Sequence, residues 1–341
     1  MRGNTTHRFT NTAILTVSTA DASEVVTSAA IDERLAETYQ RVRLRPGLLE
    51  RLVGIRERRW WPPGVTFVDG AAMAGAKAIS ESGIDPADIG IMINTSVSRQ
   101  HLEPATATAV HHALGLPSSC QNFDVTNACL GFVNGMEMAG AMIDAGLVEY
   151  ALIVDGEDSR AIQELTISNL SRPGVTARDV MSQFATLTLG SGAAAMVLGP
   201  ADRHPEGHRI VAAVSRAGTG HHRLCIGDNE GMHTDLKGLL DAGLQLSDDL
   251  WAEAAQDFDW SQGLSRYVIH QVSKIHTEAI CDRLGIDPAR VPLTFPERGN
   301  IGPASVPFTL AGELDDLLDG DRVLLMGIGS GLNACCLEIA W

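Results

Sequence analysis

The apolar positions of the chain cluster in short unbroken runs, set apart by amphipathic or small-residue stretches. "IGIMINTS", "QNFDV" and "YALIVDG" show little alternation, which predicts strands buried on both faces. Between them, "PATATAVHHALG" predicts a helix with Pro104 in its first turn, and "CLGFVNGMEMAGAMIDAG" predicts a second. Strands and helices alternating in this way predict an α/β fold, a sheet covered by helices.

The order then returns. "RYVIHQVS" lies where "IGIMINTS" lay, followed by the helical "KIHTEAICDRLG"; "RVPLTF" echoes "SCQNFDV", "GPASVPFTLAGELDDLL" echoes the Cys129 helix, and "DRVLLMG" echoes "EYALIVDG". The offsets agree: Asn94 to His270 is 176 positions, Cys129 to Asn300 is 171, and Tyr150 to Arg322 is 172. A near-constant offset predicts an internal duplication, with halves at residues 1–205 and 206–341. An insertion is expected at about residues 159–184, and a long amphipathic helix with Met232, Leu236, Leu239, Leu240 and Leu250 near one face. No low-complexity linker separates the halves, so they are expected to form one paired unit.

Composition narrows the function classes. The 341 residues are 45% hydrophobic and 20% charged, ordinary globular material. A net charge of -16 argues against a nucleic-acid surface, which needs a basic footprint. The six cysteines (120, 129, 225, 281, 335, 336) show no paired metal spacing, and Cys335 and Cys336 are expected to face opposite sides of a strand. Reduced thiols, no apolar segment of secretory length and no run of ~20 apolar residues fit a cytoplasmic protein without stable membrane insertion.

Chemistry collects at the junctions. Cys129 stands between a strand and an apolar helix, either as a small packed hydrophobe or as a nucleophile whose thiolate a helix N-terminus favours. His270 ends a strand in "VIHQVS", and Asn300 precedes the helix that matches that of Cys129. Each could be structural alone, yet two pseudo-symmetric halves would bring all three to one crevice. There a thiolate could take an acyl group from a thioester, and His270 and Asn300 could donate to a thioester carbonyl becoming an enolate. "GIGSGLN" (327–333) could add a backbone N–H near Ser330 as an oxyanion donor. It is neither G-x-G-x-x-G nor G-x-S-x-G, which counts against a nicotinamide enzyme and a serine hydrolase. "GHHRLC", with His221, His222 and Cys225, suggests no fourth ligand, and the chemistry needs no metal.

"FDVTNACLGFVNGM", "IHQVS" and "GNIGPASVP", with "INTSVSRQHLEPATA", "LTLGSGAAAMV" and "GIGSGLN", resemble the Cys-His-Asn condensing enzymes of the thiolase superfamily. The resemblance runs from about residue 30 to the C-terminus. It lies close to β-ketoacyl-acyl-carrier-protein synthase III and closer to the OleA-type enzymes that join two fatty acyl-CoA molecules. It implies the five-layer αβαβα thiolase fold, an acylated Cys129, His270 and Asn300 polarising a second thioester, an oxyanion hole from the amides of Cys129 and Ser330, and a homodimer. It also implies that Glu103, followed by Pro104, reaches into the partner's site as general base. Decarboxylating synthases need no such base, whereas removing a proton alpha to a thioester does. Arg298 stands where relatives commonly have histidine, which puts the hydrogen bonding near Asn300 in question.

Seven arginines (41, 43, 45, 51, 56, 58, 59) crowd "RVRLRPGLLERLVGIRERRWW". They form either an ion-paired surface or a mouth for the phosphates of coenzyme A, with Arg51 and Arg56 there and Trp60 stacking on the adenine or packing. The expectation is thus non-decarboxylative Claisen condensation of two long-chain acyl-CoA thioesters through an acyl-cysteine, in olefin, ketone or β-lactone synthesis. Acyl-CoA is the substrate, with no further cofactor and no metal. The alternatives are a decarboxylating synthase, a helper subunit of a heterodimer with a homologue, and an acyl-CoA hydrolase.

Overall fold

Alternation along the strands decides how the layers stack. In the computed structural model, which describes residues 5–341, the strands are β1 (Thr6–Arg8), β2 (Thr12–Asp21), β3 (Glu24–Thr27), β4 (Glu57–Trp60), β5 (Ile89–Asn94), β6 (Gln121–Asp124), β7 (Tyr150–Glu157), β8 (Gly192–Pro200), β9 (His208–Ala217), β10 (Cys225–Gly227), β11 (Met232–Thr234), β12 (Arg266–Ile269), β13 (Arg322–Gly329) and β14 (Asn333–Ala340). The main sheet runs β12-β13-β14-β9-β2-β8-β7-β5-β6, with β1 added on β9. Within it, β2-β8-β7-β5 repeats as β9-β14-β13-β12. In both sets the first two pairings are antiparallel and the third is parallel. The sets meet through two residue pairs, Ala13 with Arg209 and Ile14 with His208.

Ile91, Ile93, Ala151, Ile153, Ala194 and Met196 from the first set share a core with Val323, Leu325, Cys335 and Leu337 from the second. That core is closed by helices Gly131–Asp144 and Ser305–Ala311, which form the middle layer. The intervening residues Met92, Leu152, Val154, Ala193 and Ala195 face helices Phe67–Ser82 and Thr106–Ala113. Leu324, Met326, Ala334 and Cys336 face helices Leu236–Ala254 and Lys274–Leu284. This is the five-layer αβαβα arrangement, and Cys335 and Cys336 do point to opposite faces. A fourth core joins residues 28–53 to helices Arg160–Leu170, Ala177–Ser182 and Phe184–Leu187, where the insertion was expected.

Four local expectations fail. Residues 291–294 are not a strand. Pro292 lacks an N–H, and the Gln271 side chain supplies the missing partners, donating to Pro292 O and accepting from the Thr294 and Phe295 amides. Met232 lies in β11 rather than in the long helix, whose buried stripe is Ala242, Leu246, Leu250 and Ala254. Helix Thr106–Ala113 begins two residues after Pro104. The second central helix stops at Ala311, well short of Leu318. No helix among the described residues is long and apolar enough to cross a membrane.

Candidate active site

The parallel strands deliver their carboxyl ends to one place, as open α/β sheets do. Cys129 follows β6, His270 follows β12, Ser330 follows β13, and Glu157 ends β7. The Cys129 turn is tight. Ala128 has φ +46, and a Cβ on Gly131 would come within 2.9 Å of Thr95 O. The end of β13 presses on this turn, since a Cβ on Gly329 would lie 2.6 Å from Asn127 O and one on Gly327 2.5 Å from Leu130 Cδ1. Asn333 Nδ2 donates to Asn127 Oδ1 at 3.1 Å, closing the same junction. Ser330 is thereby held beside Cys129.

His270 is buried, and its backbone N–H donates to Met326 O at 2.8 Å. Its Nδ1 is enclosed without a hydrogen-bond partner among the described residues. Burial and the neighbouring His276 lower its pKa to about 3, so the imidazole is neutral at physiological pH. Asn300 is fixed by its main chain: its N–H donates to Thr188 O and its C=O accepts from Gly190 N–H, both at 2.9 Å. Its Oδ1 accepts from Gly302 N–H at 2.9 Å, which leaves the amide nitrogen as its side-chain donor. The main-chain pairing of 188–190 with Asn300 links the stretch after helix Phe184–Leu187 to the turn before helix Ser305–Ala311.

Beneath Cys129 lie two acids that the sequence reading did not single out. Asp155 and Glu157 are two apart on β7, so they share the face of Ile153, toward the central helices. An i, i+2 pair of acids ending a wholly apolar strand was the available signal. Thr95 Oγ1 donates to Asp155 Oδ2 at 2.6 Å. Glu157 accepts from the Val97 amide at 2.6 Å and from the Ser98 amide and hydroxyl at 3.1 and 2.6 Å. Desolvation pushes Glu157 up to about 7, and raises Asp155 well above the carboxylate range. Cys129 is pushed up to about 12 by desolvation first, then by Glu157, Cys225 and Asp155. The expected thiolate is therefore a thiol in the free protein. The helix begins two residues after Cys129, and its dipole is outweighed.

Other predicted residues land elsewhere. Glu103 lies on an exposed stretch, residues 100–105, with Leu102 88% exposed, so one chain does not bury this carboxylate by itself. Trp60 is corrected: it is 6% exposed, its Nε1 donates to Gln163 Oε1 at 2.6 Å, and the Arg160 guanidinium lies over its ring, so adenine stacking has no open face there. Arg51 is exposed, and Arg56 is exposed and paired with Glu297 at 2.9 Å. Arg58 is wholly buried and leaves the basic surface altogether. Arg298 turns away from Asn300 to pair with Asp21 at 2.9 Å. All six cysteines are free.

Residues 123–218 match the family described as 3-Oxoacyl-[acyl-carrier-protein (ACP)] synthase III, and residues 260–341 match its C-terminal counterpart. The acyl-CoA:acyl-CoA alkyltransferase of Xanthomonas campestris pv. campestris is 43% identical over 98% of this chain and 99% of its own length. That of Shewanella oneidensis is 36% identical over 94% and 96%. Crystal structures of Xanthomonas campestris OleA superpose with TM-scores of 0.95 for a form with bound lauric acid and lauroyl-CoA and 0.96 for a cerulenin-bound form, at 42% identity. They cover 98% and 100% of this chain, respectively, and all of each OleA chain.

Proposed function

Since the chain belongs to the acyl-CoA:acyl-CoA alkyltransferase (OleA) family of thiolase-fold condensing enzymes, we propose that it joins two long-chain acyl-CoA thioesters by non-decarboxylative Claisen condensation. The observation that supports this reading is the packing of the Gly329–Ser330 bend on the Cys129 turn, with buried His270 tied to the same strand β13 through Met326 O. Cys129 attacks the first thioester, its proton leaves with coenzyme A, and an acyl-cysteine remains. His270 and Asn300 donate to the carbonyl oxygen of a second acyl-CoA, favouring the enolate over the ketone form. A neutral imidazole suits that role, as it donates without carrying charge into a dry site. Glu103 of a second copy removes the alpha proton. The carbanion attacks the acyl-cysteine, and the oxyanion is held by the amides of Cys129 and Ser330. Collapse expels the Cys129 thiolate, which regains a proton, and leaves a β-ketoacyl thioester for hydrolysis to the β-keto acid.

Two features support a homodimer. The 100–105 stretch is exposed with apolar Leu102 at its tip, and β6 ends the sheet with an unpaired edge that a second chain can extend. Solved forms of the Xanthomonas enzyme carry replacements at one cysteine, one histidine and one glutamate, the residue types assigned here to Cys129, His270 and Glu103. Arg51, exposed near the fourth core, is the cation offered to coenzyme A phosphates. The product would feed olefin, ketone or β-lactone synthesis in the cytoplasm.

The test is incubation of the purified protein with myristoyl-CoA alone, following coenzyme A release and identifying products by mass spectrometry. Coupled β-keto acid or its ketone, lost in Glu103→Ala, supports the reading. Coupling only with a malonyl donor moves the chain to the decarboxylating class, and free myristate alone refutes condensation.

A further inference from the structure

Asn300 owes its position to a strip of chain, residues 186–191, whose bridge partner among the described residues is Asn300 itself. It is held there by two side chains and one main-chain bond. The Arg58 guanidinium, wholly buried, donates from one terminal nitrogen to Leu187 O at 3.0 Å and from the other to Ser28 Oγ at 3.1 Å and Val26 O at 3.3 Å. Gln163, also wholly buried, donates to Thr186 O at 3.0 Å and Leu189 O at 2.8 Å. Arg59 O accepts from Ser191 N–H at 2.8 Å.

Arg58 also touches the Asn300 turn directly. A Cβ placed on Gly299 would lie 3.1 Å from Arg58 Cβ, 2.7 Å from Thr188 O and 3.2 Å from Leu189 O. One on Gly190 would strike Arg298 O at 1.9 Å, with Arg58 Cβ at 3.5 Å. Two glycines thus let three stretches of backbone meet edge to edge, and the arginine stem fills the space that their missing side chains leave. A buried cation that spans two elements through a planar fork is hard to replace, because a point-charge ammonium cannot reproduce both ends.

We infer that Arg58 is a positioning residue for the condensation step: it pins the 187–190 strip and through it aims the Asn300 amide, without touching substrate. Burial lowers its pKa to about 10, and it stays a cation throughout the working range. The Cys129 turn is braced by β13 and Thr95 instead, so the acyl-transfer half of the reaction does not depend on Arg58. The inference builds on the function proposed above, and the readouts separate the two.

The experiment uses the full-length Arg58→Lys protein, with Arg58→Met as a harsher companion. Stoichiometric acylation of Cys129 by myristoyl-CoA is read by intact mass, condensation by coupled product, and main-chain hydrogen exchange at Gly190 and Asn300 by mass spectrometry or NMR. Arg58→Lys is expected to acylate within about two-fold of the parent while condensing 10- to 100-fold more slowly, the range that a small misplacement of a catalytic group produces. Exchange at Gly190 and Asn300 should quicken at least ten-fold, with β5 and β7 unchanged. Equal losses in acylation and condensation, or unchanged exchange at those two amides, would overturn the inference. If the parent forms no coupled product, the proposed function fails, and the exchange result still decides whether Arg58 holds Asn300. Should Arg58→Met not fold, Arg58→Lys carries the test.

Discussion

The floor under Cys129 and the pocket around His270 are both dry, and dryness drives their titrations in opposite directions. Asp155 and Glu157 resist losing protons; His270 and His276, the latter lowered to about 4, resist gaining them. The cause is shared: burial penalises whichever form is charged. What differs is the support. Glu157 is met by three donors, whereas His270 Nδ1 has no partner among the described residues. Burial thus favours the neutral forms of the Cys129 thiol, the His270 imidazole and the Asp155 carboxyl, while Glu157, raised to about 7, stands near the balance between its two forms. On the proposed function, negative charge developing on a thioester oxygen would meet a low-dielectric site, where a donor such as Asn300 counts for more than it would in water.

The sharpest break in this comparison is chemical. Cys129→Ala should lower coupling by on the order of 10⁴-fold or more, since the covalent route disappears; intact mass should show no acylated protein. Asn300→Ala should cost about 10²- to 10³-fold in coupling while acylation persists, the loss expected for one oxyanion-type donor. Equal loss in both steps would mean that Asn300 shapes the Cys129 side as well.

Smaller effects test the titrations. Glu157 has its pKa raised from 4.5 to about 7, so its contribution to stability is complete below 4.5 and fades as pH rises through about 7. Denaturant melts of Glu157→Gln should therefore lose less stability than the parent between pH 5 and 8, by on the order of 2 kcal/mol across the window. For His270, lowered from 6.5 to about 3, the contribution is complete above 6.5 and is lost as pH falls toward 3. His270→Asn should flatten that acid limb and leave the alkaline one alone. Parallel slopes in both variants would show that the two regions are not separately desolvated. Gly299→Ala should destabilise the fold by about 1–3 kcal/mol, because Gly299 has φ +68 with ψ -164, a region open essentially only to glycine; thermal unfolding reads this directly.

How much of this was legible in the sequence depended on whether neighbours in space were also neighbours in pattern. The parallel strands announced themselves, because Ile89–Asn94 and Tyr150–Glu157 are apolar on both faces. The repeat was legible because duplicated strands keep their spacing. Cys129, His270 and Asn300 stood out through that spacing and the family motifs around them. The burial of Arg58 and the partner of Trp60 were not legible, since Leu187 and Gln163 lie 129 and 103 residues further along the chain. Glu157 was hidden in the same way: its donors come from the loop after β5. The 291–294 stretch misled because its hydrogen bonds go to a side chain, Gln271, which no periodicity reveals.

The fourth core, closed between residues 28–53 and the helices of residues 160–187, is separate from the three cores that line the sheet. Sequence drift there leaves strand register untouched, so a lineage can lengthen, shorten or reshape those helices far more freely than it can alter β5 or β13. The exceptions are Gln163, whose side chain donates to Thr186 O and Leu189 O, and the carbonyl of Leu187, which accepts from Arg58. Variation across residues 160–187 is thus constrained at Gln163 and at Leu187 and freer between them.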